Sequence, residues 1–183
     1  MLRSFSRPFR SLLVMLLLVV ATPAVTSAEN TLFREHQVKA AFIYNFALYV
    51  EWPASATGEQ KPRTICLLGT DYFGTALNAV HGKAVRNQRL AVRLIKEVEE
   101  AETCDILYIS TSEYGNLQEI LETVRQRPVL TISDLDRFAR SGGMIGLVTR
   151  DNKVRFEINL KQTQRAQFRV SSQLLKLARD VIE

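Results

Sequence analysis

The chain is poor in the residues that most often do chemistry: two cysteines, two histidines and one tryptophan in 183 positions. Cys66, Cys104 and the distant His36 and His81 are too few and too scattered for a metal site of the usual four-ligand kind. No G-x-x-x-x-G-K-[ST] loop and no G-x-G-x-x-G fingerprint occurs, so the common phosphate-cradling signatures are missing. There is no G-x-S-x-G elbow, and Ser110, Thr111 and Ser112 have no histidine brought to them by spacing. No nucleophile with a base beside it is legible, and the expectation is a protein without catalytic residues, cofactor or metal.

Several weaker signals have plain structural readings. Gly69-Thr70-Asp71 is too short for a nucleotide site and reads as a turn. A phosphoacceptor aspartate belongs at the carboxyl end of a central strand, where Ser110-Thr111-Ser112 stand instead, with Asp105 at the opposite end. The acidic run Glu97, Glu99, Glu100 and Glu102 reads as solvated surface. Tyr44, Tyr49 and Trp52 read as packing rather than as a ligand slot.

No apolar run is long enough to cross a bilayer, which takes about 20 residues. Residues 12–21 are apolar without interruption, and Arg3, Arg7 and Arg10 precede them. Pro23 follows, then Thr26 and Ala28 at the −3 and −1 positions of a cleavage site. This order predicts a secretory signal peptide over residues 1–28 and one mature domain over 29–183. Cleavage after Ala24 is the weaker alternative. No cysteine follows the apolar run closely, so no lipid anchor is expected.

The pI of 9.4 is misleading. Three of the 24 basic residues leave with the signal, and 21 then stand against 19 acidic ones. Nucleic-acid binding loses its support in composition, and export removes the rest. Within residues 150–183, eight basic side chains face four acidic ones, a local excess that can steer an acidic partner.

Export puts Cys66 and Cys104 in an oxidising compartment, where a disulfide is expected if their strands are neighbours; two buried free thiols are the alternative. The coarse pattern makes them neighbours. Residues 33–50 read as a helix that is apolar almost all round from Val38 onward, buried in a core or against a second subunit. Trp52-Pro53 ends it, and 54–62 form a loop. Strands over 64–68, 90–95, 104–109 and 129–132 alternate with helices over 72–80, 114–124 and 135–140. In doubly wound orders the first strand lies between the second and third, beside Cys104. Residues 144–148 and 154–158 form an antiparallel hairpin, with Arg155 and Glu157 on its exposed face. A closing amphipathic helix enters through Ser171-Ser172 and carries Leu174, Leu175, Ala178, Val181 and Ile182. The predicted class is α/β: a single domain with a mostly parallel three-layer sheet, an antiparallel C-terminal hairpin and amphipathic N- and C-terminal helices.

Four segments carry a resemblance. Lys39-Ala40-Ala41-Phe42-Ile43-Tyr44-Asn45-Phe46, running on to Glu51-Trp52-Pro53, resembles the opening motif of the YfiR-like family. Gly142-Gly143-Met144-Ile145-Gly146, Val154-Arg155-Phe156-Glu157-Ile158-Asn159-Leu160 and Ser171-Ser172-Gln173-Leu174-Leu175-Lys176-Leu177-Ala178 resemble its closing motifs in the same order. The resemblance implies a periplasmic repressor of an inner-membrane diguanylate cyclase. Such a repressor lowers cyclic-di-GMP, biofilm and exopolysaccharide output. It also implies a homodimer relieved by an outer-membrane lipoprotein or by redox stress. Relatives under redox control carry a second cysteine pair in the carboxyl-terminal half, and residues 105–183 hold none, so a static disulfide is expected here. The exposed contacts expected for the partner are Arg155, Glu157, Lys176 and Arg179. A periplasmic small-molecule-binding module is the rival reading, and it requires a concave apolar pocket.

Overall fold

The computed structural model describes residues 25–53 and 61–183. The expected signal segment therefore lies outside the described residues except for its last four, which are helical. Most of the 54–62 loop lies outside them too.

Helix α1 spans Val25–Tyr49 and strand β1 Val50–Glu51. There follow β2 (Arg63–Leu68), α2 (Thr75–Asn78), β3 (Ala84–Val85) and β4 (Gln88–Ile95). A 3-10 turn over Val98–Thr103 leads to β5 (Ile106–Ile109), and a second over Thr111–Asn116 leads to α3 (Leu117–Val124). The rest is β6 (Leu130–Ser133), β7 (Ile145–Arg150), β8 (Lys153–Asn159), α4 (Leu160–Arg165), β9 (Arg169–Val170), α5 (Ser172–Leu177) and β10 (Asp180–Ile182).

The main sheet has the order β10-β8-β7-β6-β5-β2-β4-β3 and is mostly parallel. Its antiparallel pairs are β7 with β8 and β3 with β4. A second, two-stranded sheet joins β1 to β9. Side-chain alternation sorts the strand residues into two layers. Ile65, Leu67, Ile106, Tyr108, Leu130 and Ile132 point to one side, where α1 and α2 pack through Ile43, Phe46 and Leu77. Cys66, Leu68, Leu107 and Ile109 point to the other, under Ala101, Ile120, Val124 and Phe138. Continuous apolar strands buried on both faces are what a parallel sheet requires. The predicted α/β class, the parallel sheet and the β7–β8 hairpin are all present.

The bridge between Cys66 and Cys104 is formed, with Cα atoms 5.8 Å apart. As expected, β2 lies between β4 and β5. Cys104 does not open the strand, however; it caps the 3-10 turn two residues before β5.

Three expectations need correction. The closing helix ends at Leu177, and Ala178 is extended at φ −64° and ψ 141°. Val181 and Ile182 lie on β10, parallel to β8. Residues 135–140 are not helical but a chain of turns, in which Arg137 has φ +56°. Helix α1 is not buried all round in the core of its own chain, for Val38 and Tyr49 stay more than 40 % exposed on one side, which leaves burial against a second subunit as the reading for that side.

Gly143 marks a place where the turns meet the core. A Cβ there would stand 2.2 Å from the ring of Phe138, which is itself buried. Gly143→Ala is expected to cost about 1–3 kcal/mol through overpacking. Urea unfolding measures this, and an unchanged midpoint would show that the Phe138 ring has room to turn aside.

Candidate functional site

In doubly wound sheets, ligands sit outside the carboxyl ends of the strands, where the strand order reverses. Here that point lies between β2 and β5. It is filled by the chain itself. Ser112, in the turn after β5, accepts a hydrogen bond from the Thr70 N–H through Oγ at 2.9 Å. A Cβ on Gly69 would fall 2.4 Å from that Oγ, so only glycine, here at φ +90°, lets the two loops close together. Asp71 turns the same loop by accepting from the N–H groups of Phe73 (2.8 Å) and Gly74 (3.2 Å). The serines after β5 are therefore capping and closing residues, with Ser110 accepting from the Ser112 N–H.

Helix α1 seals the neighbouring strand ends with charge. Lys39 is buried, and its Nζ lies 2.6 Å from both Glu35 Oε1 and Asp134 Oδ2, just beyond β6. Thr149 on β7 donates its hydroxyl to Glu35 at 2.8 Å. Burial pulls the Lys39 ammonium down, but hydrogen bonds to Asp134 and Glu35 outweigh it and hold the group above its ordinary value. Burial also pushes Glu35 up; the bonds from Lys39 and Thr149 win and hold it below the usual carboxylate range. Asp134 Oδ1 is buried, and among the described residues no hydrogen bond of ordinary geometry reaches it. Burial first, and then the Asp134 charge, push the Tyr108 hydroxyl upward.

The other segments singled out by motif are also structural. The Trp52 ring lies under the Arg63 guanidinium at 3.8 Å, packs edge-on against Phe168, and donates Nε1–H to the Asp105 carbonyl at 3.3 Å. Arg63 in turn donates to the Asp105 carboxylate at 3.1 Å, and burial nonetheless raises that carboxyl. Tyr44 donates to the Ala84 carbonyl at 3.0 Å, pinning α1 to β3. Asn159 donates Nδ2–H to the Ala139 carbonyl at 2.7 Å and caps α4 through Oδ1. Ser171 caps α5. In the acidic run, Glu97 and Glu100 form a capping box on the 3-10 turn. Among the described residues no three His, Cys, Asp or Glu side chains are placed to hold a metal ion.

What stays open is the edge formed by β8, α5 and β10. Arg155 and Lys176 are exposed, and Leu177 beside them is 71 % exposed. Arg179 reaches Glu157 at 3.5 Å. Glu157 itself is buried at 9 %, a correction to its expected place on an exposed face. The reason is β10, whose Asp180 is the register partner of Glu157, so that the hairpin strand β8 is internal to the sheet. The structure thus brings Arg155, Leu177 and Arg179 to one groove and turns Glu157 into the support of Arg179, while Lys176 is exposed on α5 next to Leu177 in the chain. No sequence signal for β10 was available, since its residues continue the helical spacing of α5.

Comparison with known proteins agrees with this architecture. A conserved domain protein from Vibrio cholerae O1 biovar El Tor str. N16961 superposes with a TM-score of 0.54 at 8 % identity, covering 80 % of this chain and 60 % of that one. An ABC domain from Streptococcus pneumonia, solved in complex with L-Trp, gives a TM-score of 0.49 at 11 % identity, covering 66 % and 55 %. The chain thus spans 55–60 % of the length of these proteins, and the Vibrio likeness shows the fold alone. The family model described as YfiR/HmsC-like matches residues 36–179, from the α1 residue that faces Phe73 to the Arg179 that supports the open edge. With that much of its length accounted for, the chain belongs to the YfiR/HmsC-like family.

Proposed function

We propose that the protein is a non-catalytic periplasmic regulator, exported by a cleaved signal over residues 1–28, that binds and represses an inner-membrane diguanylate cyclase. Family membership supports regulation of cyclic-di-GMP signalling from the periplasm. The Cys66–Cys104 bridge fits an oxidising compartment. No described helix is long and apolar enough to cross a membrane. The observation that carries the reading is the open edge, where an exposed Leu177, next to Lys176 in the chain, borders a groove with Arg155 and Arg179. An apolar anchor ringed by cations suits an acidic protein surface with one hydrophobic contact. Repression then follows if the edge binds the inactive state of the cyclase more tightly than the active one. The exposed side of α1, with Val38, Ala41 and Tyr49, is the apolar surface for a homodimer. The rival small-molecule module has less support, because the crevice where such a ligand would sit is closed by Ser112 and Gly69.

Loss of the gene is expected to raise cyclic-di-GMP several-fold, and the double charge reversal Arg155→Glu with Lys176→Glu to do the same while leaving the thermal midpoint unchanged. Crosslinked capture from the periplasm should return a cyclase with the parent protein and not with the reversed variant. An unchanged cyclic-di-GMP level on deletion would remove the repressor reading.

A further inference from the structure

The sheet face opposite α1 is covered unevenly. A Cβ on Gly146 would meet Ala139 and Phe138 at 3.4–3.8 Å, so these turn residues cover that end of the face. Farther along β7 and β8 that cover stops. Arg137, Arg140, Val148, Arg150 and Arg179 border an open groove of about 610 Å³, together with Asp136, Glu157 and Asp180. An antiparallel pair such as β7 and β8 can leave one face to solvent, and here that face is lined almost entirely by charge.

The charges in this groove are not balanced pairwise. Arg179 is joined to Glu157 and Arg140 to Asp180. Among the described residues Arg137 and Arg150 have no ion pair, and Asp136 is the one acid left in the lining. All four cations are arginine, whose planar fork matches an oxyanion with two parallel N–H···O bonds, where a lysine would offer a point charge. Val148 is the only apolar side chain lining the groove, which is too little for a protein hot spot. A compact ligand with two or more negative charges fits these features better than a peptide carboxylate.

Arg137 adds an independent sign. Its turn is closed by the Phe138 N–H bonding to the Leu135 carbonyl at 3.1 Å, which places Arg137 at the third position with φ +56°. That position favours glycine or asparagine. Backbone strain under an exposed, uncommitted charge is the pattern expected where a side chain serves binding and not stability.

We propose that this groove binds a phosphate-bearing ligand, with Arg137 and Arg150 as its first contacts and Arg140 and Arg179 joining them by releasing Asp180 and Glu157. The site goes beyond the regulator reading and does not depend on a cyclase partner; it adjoins that edge, sharing Arg179 with its support Glu157 and the β10 residue Asp180, while Arg137 and Arg140 belong to the groove alone.

The test is calorimetric titration of the oxidised full chain with inorganic pyrophosphate at fixed ionic strength, with sodium chloride as the control salt. Arg137→Gly and Arg150→Gln should each weaken pyrophosphate binding tenfold or more, while Arg125→Gln just after α3 leaves it unchanged. Arg137→Gly should also unfold at the same temperature as the parent or a higher one, since it relieves the turn. Vesicles of phosphatidylglycerol in phosphatidylcholine separate the sources. Binding to them but not to pure phosphatidylcholine supports a lipid headgroup, and pyrophosphate binding without vesicle binding supports a soluble phosphoryl compound. Pyrophosphate heats equal to those of chloride, or full binding by Arg137→Gly, would overturn the site. So would recognition of an acidic protein segment by these arginines with no response to pyrophosphate.

Discussion

Replacing Cys66 and Cys104 together by alanine is expected to lower the unfolding free energy by about 4 kcal/mol. The bridge spans 38 positions of chain, and a loop of that length loses roughly this much closure entropy in the unfolded state. Both residues are buried, at 0 % and 6 %, in the layer with Leu107, Ile120 and Phe138. The substitution therefore also removes two apolar sulfur atoms from a packed site, where lost volume is felt. Urea unfolding with and without reductant measures the effect. The parent should shift to a lower midpoint on reduction, and the double variant should start near that lower midpoint and ignore reductant. Superimposable parent curves in the two conditions would mean that the bridge does not constrain the unfolded chain.

The second large effect is expected at Lys39. Lys39→Ala leaves the carboxylates of Glu35 and Asp134 facing each other with no cation between them. Removing one partner of a buried ionic group costs about 3–5 kcal/mol, and the partial exposure of both acids, 22 % and 20 %, places this case near the lower figure. The triple change Lys39→Met, Glu35→Gln and Asp134→Asn should recover most of the loss, because no uncompensated charge remains. If the triple variant is no more stable than Lys39→Ala, the damage lies in packing and not in charge.

The pH dependence of the same network has a definite sign. Glu35 is held below 4.5, so its contribution is full above that value and is lost as pH falls through its lower folded value. Lys39 is held above 10.5, so its contribution is full below that value and is lost as pH rises through its higher folded value. The parent should therefore lose stability on acidification more steeply than Lys39→Ala, in which Glu35 has already lost its cation.

How much of this was legible in the sequence depends on whether a signal was local. The parallel strands were readable because each is a short apolar run closed by a turn. Their order then made Cys66 and Cys104 neighbours. The β7–β8 hairpin was readable from Asp151-Asn152, both of which take positive φ. Leu174, Leu175, Ala178, Val181 and Ile182 keep helical spacing to the last, yet α5 stops at Leu177. Three residues of pairing with β8 outweigh that periodicity, and nothing nearby in sequence announces them. The same strand hides Glu157, which alternation had placed outside. The seal of Lys39 and Asp134 joins positions 95 apart, beyond the reach of any local pattern. For the open edge, composition showed that residues 150–183 are basic but not which of those charges would be spent on internal pairs.

Both sulfur atoms lie on one side of the sheet, the side away from α1. Cutting the bridge should therefore be heard unequally by the backbone. Amide hydrogens of α3 and of the 3-10 turn over Val98–Thr103 should exchange faster on reduction, while those of the half of α1 around Ile43 and Phe46 keep their slow rates. The molecule then has two cooperative units sharing a single wall, and only one of them answers to the redox state of its surroundings.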